Sequence, residues 1–117
     1  MQKTLDLSIE LNTMGWNAHA STPLPGSELY NIAIENGSDL PNNYEGYSFH
    51  SYDALPLPNE NLSAAEMLKF RDNAFTTYHS NKKFLDKVQS KYGKTAVENI
   101  KEMTKVKLRR KILENIN

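Results

Sequence analysis

The stretch Trp16-Asn17-Ala18-His19-Ala20-Ser21 alternates apolar and polar residues with a period of two, the pattern of a short β-strand with one apolar and one polar face. A strand must hand its backbone N–H and C=O groups to a neighbour, and even a lone hairpin is marginal in water. One short strand in a chain of 117 residues cannot form a sheet. The pattern therefore reads as cut from something larger. Before it, residues 4–13 predict a helix in which Leu5, Leu7, Ile9 and Leu11 sit too close for one narrow stripe, implying burial on more than one side. After it come a turn and a second helix, and the order helix, strand, turn, helix is that of an α/β unit.

The turn is Thr22-Pro23-Leu24-Pro25-Gly26-Ser27. The two prolines forbid helix and stiffen the chain, Gly26 permits a positive φ, and Ser27 suits the N-cap of the helix that starts at Glu28. Glu28 complements the positive end of that helix, and Asn36-Gly37 close it. A loop between a strand and a helix N-terminus points free N–H groups at whatever lies above the strand.

From Ser38 to Asn61 no periodic element is visible, and the stretch carries Pro41, Pro56 and Pro58 with the aromatics Tyr44, Tyr47, Phe49 and Tyr52. Long irregular loops inside compact domains are uncommon and usually functional. The aromatics are expected to pin this one to a surface. The remainder is helical. Ser63 with Glu66 forms a capping box, and Met67, Phe70, Ala74, Phe75 and Tyr78 recur at helical spacing. Asn81 caps a shorter helix ended by Gly93. Thr95 with Glu98 reads as a second capping box, opening a long helix with Val97, Ile100, Met103 or Thr104, Leu108 and Ile112 inward and Lys101, Lys105 and Arg109 on its outer face.

Charge is segregated along the chain. Residues 1–60 hold one lysine against eight acids, and residues 61–117 hold thirteen Lys and Arg against six acids. The plainest reading is that the halves partly face each other or a larger protein, with the surplus lysine solvated; a nucleic-acid footprint is the sharper alternative. No apolar run approaches a membrane span, and the N-terminal residues lack the order of a signal peptide, so the cytoplasm is the expected compartment and no membrane is expected as a partner. There is no cysteine, which removes disulfides, thiolate metal sites and cysteine nucleophiles from this chain.

His19, His50 and His79 stand in no metal-ligand spacing, and no metal site is expected. Nucleophile and phosphate-loop signatures are also missing. Phe49-His50-Ser51-Tyr52-Asp53 contains the residue types of a hydrolase relay, yet neighbours on an extended loop point alternate ways and cannot form one unaided. No catalytic residue is assigned. Asn17 and His19, on the polar face of the expected strand, are the better candidates for ligand contact.

Five stretches carry a family resemblance: "TLDLSIELNT" (residues 4–13), "PLPGSELYNIAIENG" (23–37), "LPNNYEGYSFHSYDALPLPNENLSAAEMLKFRDNAF" (40–75), "KYGK" (91–94) and "KEMTKVKLRRKIL" (101–113). Together they resemble the C-terminal part of radical S-adenosylmethionine (radical SAM) proteins of the cobalamin-binding-domain-containing kind. The most specific marks are P-x-P-G-S-x-L-Y, Pro23 to Tyr30, and L-S-A-A-E-x-L-x-F-R-D, Leu62 to Asp72.

Members of that family bind a 4Fe-4S cluster through a C-x-x-x-C-x-x-C loop of a partial β/α barrel and reductively cleave S-adenosylmethionine to a radical; many also bind cobalamin. The resemblance implies an α/β fragment: the last unit or units of a partial β/α, TIM-like radical SAM barrel followed by a mainly α-helical C-terminal extension. Residues 1–37 would be the barrel end, 38–61 the aromatic covering loop and 62–117 the extension. The resemblance places Pro23, Pro25, Gly26 and Ser27 at the cofactor-binding mouth, with Asn17, His19, Tyr30, Tyr47, His50 and Tyr52 on the substrate side. Without the cluster cysteines the chain is not expected to hold a cofactor or to be catalytic alone. Its Met1 start inside an expected barrel helix fits a truncated or split gene, whose partner would be the N-terminal part of a split radical SAM enzyme. From a different class, the alternative is a small helical module whose basic last helix binds nucleic acid or an acidic protein.

Overall fold

The computed structural model of the chain describes residues 1–115. Six α-helices are present among them: α1 Gln2–Leu11, α2 Glu28–Glu35, α3 Ala64–His79, α4 Lys82–Tyr92, α5 Lys94–Lys105 and the single turn α6 Lys111–Glu114, with a 3-10 turn at Tyr44–Tyr47. There is no β-strand among the described residues. The described fold is all-α, which overturns the α/β expectation and the barrel fragment with it.

Trp16–Ser21 shows why. Trp16, Ala18 and Ala20 are half-buried while Asn17, His19 and Ser21 are exposed, so the expected alternation is real and the residues lie outside any helix. What is missing is a ladder. Trp16 stacks on Tyr78 with ring centres 6.1 Å apart, His19 lies 4.2 Å from the Phe49 ring, and the Ser21 carbonyl accepts from Leu57 N–H at 2.8 Å. Alternation reports which side chains are covered, and helices and loops can cover them as well as a sheet can.

The chain divides into two compact units. One combines Met1–Ala18 with Asp72–Lys107, and the other combines His19–Arg71 with the residues from Leu108 onward. In the first unit, Tyr78 is 1% exposed and Phe84 2%, with their ring centres 5.2 Å apart, and the Tyr78 phenol donates to the Thr13 carbonyl at 2.6 Å. Burial of a ring such as Phe84 contributes on the order of 2 kcal/mol. The buried His79 belongs to the same cluster, its Nδ1–H donating to Phe75 O at 2.8 Å.

Asn81 caps α4 as expected, accepting from Phe84 N–H at 3.3 Å, and Gly93 ends it at φ 85°. The same glycine directly precedes α5, which begins at Lys94, so Thr95 and Glu98 lie inside the helix and form no capping box. The two helices pack together with Phe84, Val88 and Val97 buried.

In α1, Leu5 is buried and Ile9 half-buried, whereas Leu7 and Leu11, about 200° round the helix from Leu5 and Ile9, are 54% and 65% exposed. Two apolar faces exist, and the described residues cover one of them. The last turn of α1 has no basic residue of its own. Lysines of α4 supply the charge its negative end favours, Lys83 Nζ donating to Glu10 O at 3.3 Å and Lys87 Nζ to Asn12 O at 2.5 Å.

In the second unit, Ala33, Ala54, Met67, Leu68, Pro23 and Pro56 form the buried centre. The capping box of α3 is formed: Glu66 N–H donates to Ser63 Oγ at 3.2 Å, while Ser63 N–H and Oγ–H each donate to Glu66 Oε2 at 2.8 Å. The Ser63 backbone bond holds the Glu66 carboxyl below its usual range. The expected continuous helix through Ile112 is not present. It stops at Lys105, Val106 and Arg110 take extended conformations, and one turn resumes at Lys111. Bonds to the loop explain the break, because Arg110, 1% exposed, reaches the Ser51 carbonyl at 3.0 Å and Lys111 N–H donates to Tyr52 O at 2.9 Å. A continued helix could not make either bond.

Candidate functional site

The turn before α2 forms as the sequence predicts. Gly26 takes φ 89°, the left-handed region open to glycine. Ser27 Oγ–H donates to Leu24 O at 2.7 Å and its oxygen accepts from Tyr30 N–H at 3.1 Å. The serine hydroxyl is thus engaged in closing the turn and capping α2. Pro23 is buried, whereas Pro25 and Gly26 are exposed. These residues offer an outward backbone surface and no charged side chain. They cannot hold an iron–sulfur cluster, whose thiolate ligands the chain lacks altogether.

The substrate-side candidates are not gathered into one pocket. Asn17 belongs to the first unit and its carboxamide oxygen accepts from Ala18 N–H at 3.0 Å. In the second unit His19 pairs with Phe49, and Tyr30 lies with its ring centre 6.3 Å from that of Tyr47. Burial, followed by the neighbouring Tyr30, pushes the Tyr47 phenol up. His50 Nε2 accepts from Arg71 Nη2 at 3.4 Å. Ser51 Oγ–H points at Glu45 O, 2.5 Å away, and Asp53 pairs with Lys111 at 3.2 Å. The three relay-type side chains each face a different partner.

Tyr52 lies at the centre of a cluster that the sequence did not disclose. Its phenol donates to Glu114 Oε2 at 2.8 Å, Arg109 binds the same carboxylate through Nε at 2.7 Å and Nη2 at 2.9 Å, and the Arg109 guanidinium lies 5.2 Å from the Tyr52 ring centre. The Arg109 bonds, then that of Tyr52, hold the Glu114 carboxyl below its usual range. The bond to Glu114 pushes the Tyr52 phenol up. Residues 109–114 therefore form a polar strap on loop residues 51–53. Beside it opens a cleft of about 250 Å³, lined by Leu40, Pro41, Asn43, Asp53, Lys111 and Ile112 among others. None of the ten sequence-chosen residues lines it. The signal that could have exposed the strap is the alternation of Lys105, Val106, Lys107, Leu108 and Arg109, which competes there with the helical period.

Among the described residues no three His, Asp or Glu side chains gather as a metal-ligand set, and no helix is long and apolar enough to cross a membrane. Comparison with protein-family models, curated proteins and solved structures finds no match to this chain.

Proposed function

We propose that the chain is the C-terminal segment of a radical SAM protein of the cobalamin-binding-domain-containing kind, contributing a loop and a helical cover on the side where cofactor and substrate lie. The observation that carries the reading is the Pro23–Tyr30 motif. Its turn is closed and capped, while the apolar residues within and just after it, Leu24, Leu29, Ile32 and Ile34, are 40–53% exposed. A rigid turn beside uncovered apolar side chains suits a piece that completes its surface against another polypeptide. Lacking thiolates, the chain does not cleave S-adenosylmethionine alone; the cluster, S-adenosylmethionine and any cobalamin belong to the N-terminal part of the split enzyme.

The reading is tested by coexpression with a neighbouring open reading frame that encodes the C-x-x-x-C-x-x-C loop. The two chains should copurify, and reductive cleavage of S-adenosylmethionine should depend on both. Cleavage indifferent to this chain overturns it, whereas absence of such a frame favours a remnant of such an enzyme over a split one. The alternative, a basic terminal helix that binds nucleic acid or an acidic protein, has less support. Arg109 stands off any helix and is paired with Glu114, and Arg110 is 1% exposed.

A further inference from the structure

The strap lacks the means to order itself, and the loop beneath it is ordered by short-range bonds rather than by regular secondary structure. A four-residue helix is far below the length at which an isolated helix holds, and residues 106–110 have no regular hydrogen bonding of their own. The loop from Ser38 to Asn61 has short-range order of its own, one 3-10 turn and bonds such as Ser48 N–H to Glu45 O at 3.1 Å and Leu55 N–H to Gly46 O at 3.2 Å, but no long helix or ladder. Across the junction, however, the bonds are dense: Arg110 to Ser51 O, Lys111 N–H to Tyr52 O, Tyr52 to Glu114, Arg109 over Tyr52, and Lys111 to Asp53. Most of these groups are also accessible to water, Arg109 with 75% and Lys111 with 56% of the side chain exposed, so solvent and salt compete for them directly.

We propose that residues 109–115 are a latch that closes the aromatic loop, so that strap and loop order and release together and the cleft beside Asp53 and Lys111 exists only in the latched state. Both walls of that cleft come from the paired segments: Leu40, Pro41, Asn43 and Asp53 from the loop, Lys111, Ile112 and Asn115 from the strap. The latch is independent of any radical SAM chemistry and stands or falls on the chain alone. Its opening would give the aromatic loop a second state without unfolding the helices of the first unit, the behaviour expected of a low-stability cooperative segment.

Amide hydrogen exchange on the full chain, read in the peptides 42–55, 108–115 and 82–105, tests this. Tyr52→Phe removes a single hydroxyl and leaves the ring, and should speed exchange in 42–55 and 108–115 by a similar factor, on the order of tenfold for a charge-assisted bond, with 82–105 unchanged. Glu114→Gln should do the same and should make the remaining protection less sensitive to salt. Acceleration confined to 108–115 would mean a fraying end and would overturn the latch. Equal acceleration in all three peptides would overturn it too, since the bond would then support global stability only. Should Glu114→Gln fail to fold, Tyr52→Phe still decides between these outcomes.

Discussion

Gly46 illustrates how much a single position can fix. It is buried, and a Cβ placed on it would run into the Cβ of Pro41, with Pro41 Cγ at 3.0 Å and the Asp53 carbonyl at 3.2 Å. The proline ring is covalently stiff and the carbonyl belongs to the backbone, so neither gives way cheaply. Gly46→Ala is expected to destabilise by about 1–3 kcal/mol, the usual range for overpacking, and a thermal melt should show a lowered Tm; an unchanged melt would mean the loop shifts freely there. Gly26 differs from it: nothing lies within 4 Å of its would-be Cβ, and glycine is favoured by φ alone. Both glycines are plain in the sequence, yet only the second could be interpreted from it. A turn between a proline and a helix cap announces a positive φ locally, whereas the demand on Gly46 comes from Pro41 and Asp53 folding back onto it.

The same division between local and distant causes runs through the elements. Ser27, Ser63 with Glu66, Asn81 and Gly93 were legible because a cap acts within three or four residues of itself. The alternation of Trp16 to Ser21 was legible as burial and misleading as a strand, because a ladder depends on a partner that no local pattern names. The end of α5 was hidden for a related reason. Leu108 and Ile112 continue the helical period, and the bonds that draw the chain out of it join residues 58 to 62 positions apart. Those bonds set the pH response of α6, where Glu114 faces Tyr52 and Arg109, with Lys111 and Asp53 alongside. A carboxyl held below its usual value contributes above the ordinary glutamate pKa and loses that contribution as pH falls through its lowered value. A phenol pushed above its usual value contributes below the ordinary tyrosine pKa and loses its contribution as pH rises through the raised value. The strap should accordingly hold across the neutral range and loosen on both sides, below the ordinary glutamate value of 4.5 and above the ordinary tyrosine value of 10.0. Exchange in 108–115 followed against pH, corrected for the intrinsic rate, checks this; a flat profile would contradict it.

For the whole molecule, order is unevenly shared. The first unit is built on ring contacts and the paired helices α4 and α5, and the second depends on a long irregular loop held by scattered polar bonds. Exchange should be slowest at Phe84, Val88 and Val97 and much faster through residues 38–61; equal protection in both would show the loop to be as deeply stabilised as the helices. The chain passes between units after Ala18, Arg71 and Lys107, so each unit is assembled from two separated stretches, and the first must close around the whole of His19–Arg71 before Met1–Ala18 can meet Asp72–Lys107. No single cut yields either unit by itself: a cut after Ala18 keeps both stretches of the second unit but strips the first of α1, and a cut after Lys107 keeps both stretches of the first but takes the latch from the second. A fragment ending at Arg71 would carry the α1 side of the first unit without the helices it packs on, and the second unit without its latch. Dissection of this protein by a single truncation would therefore always leave at least one unit broken, and point substitution in the full chain is the sound way to assign roles to its parts.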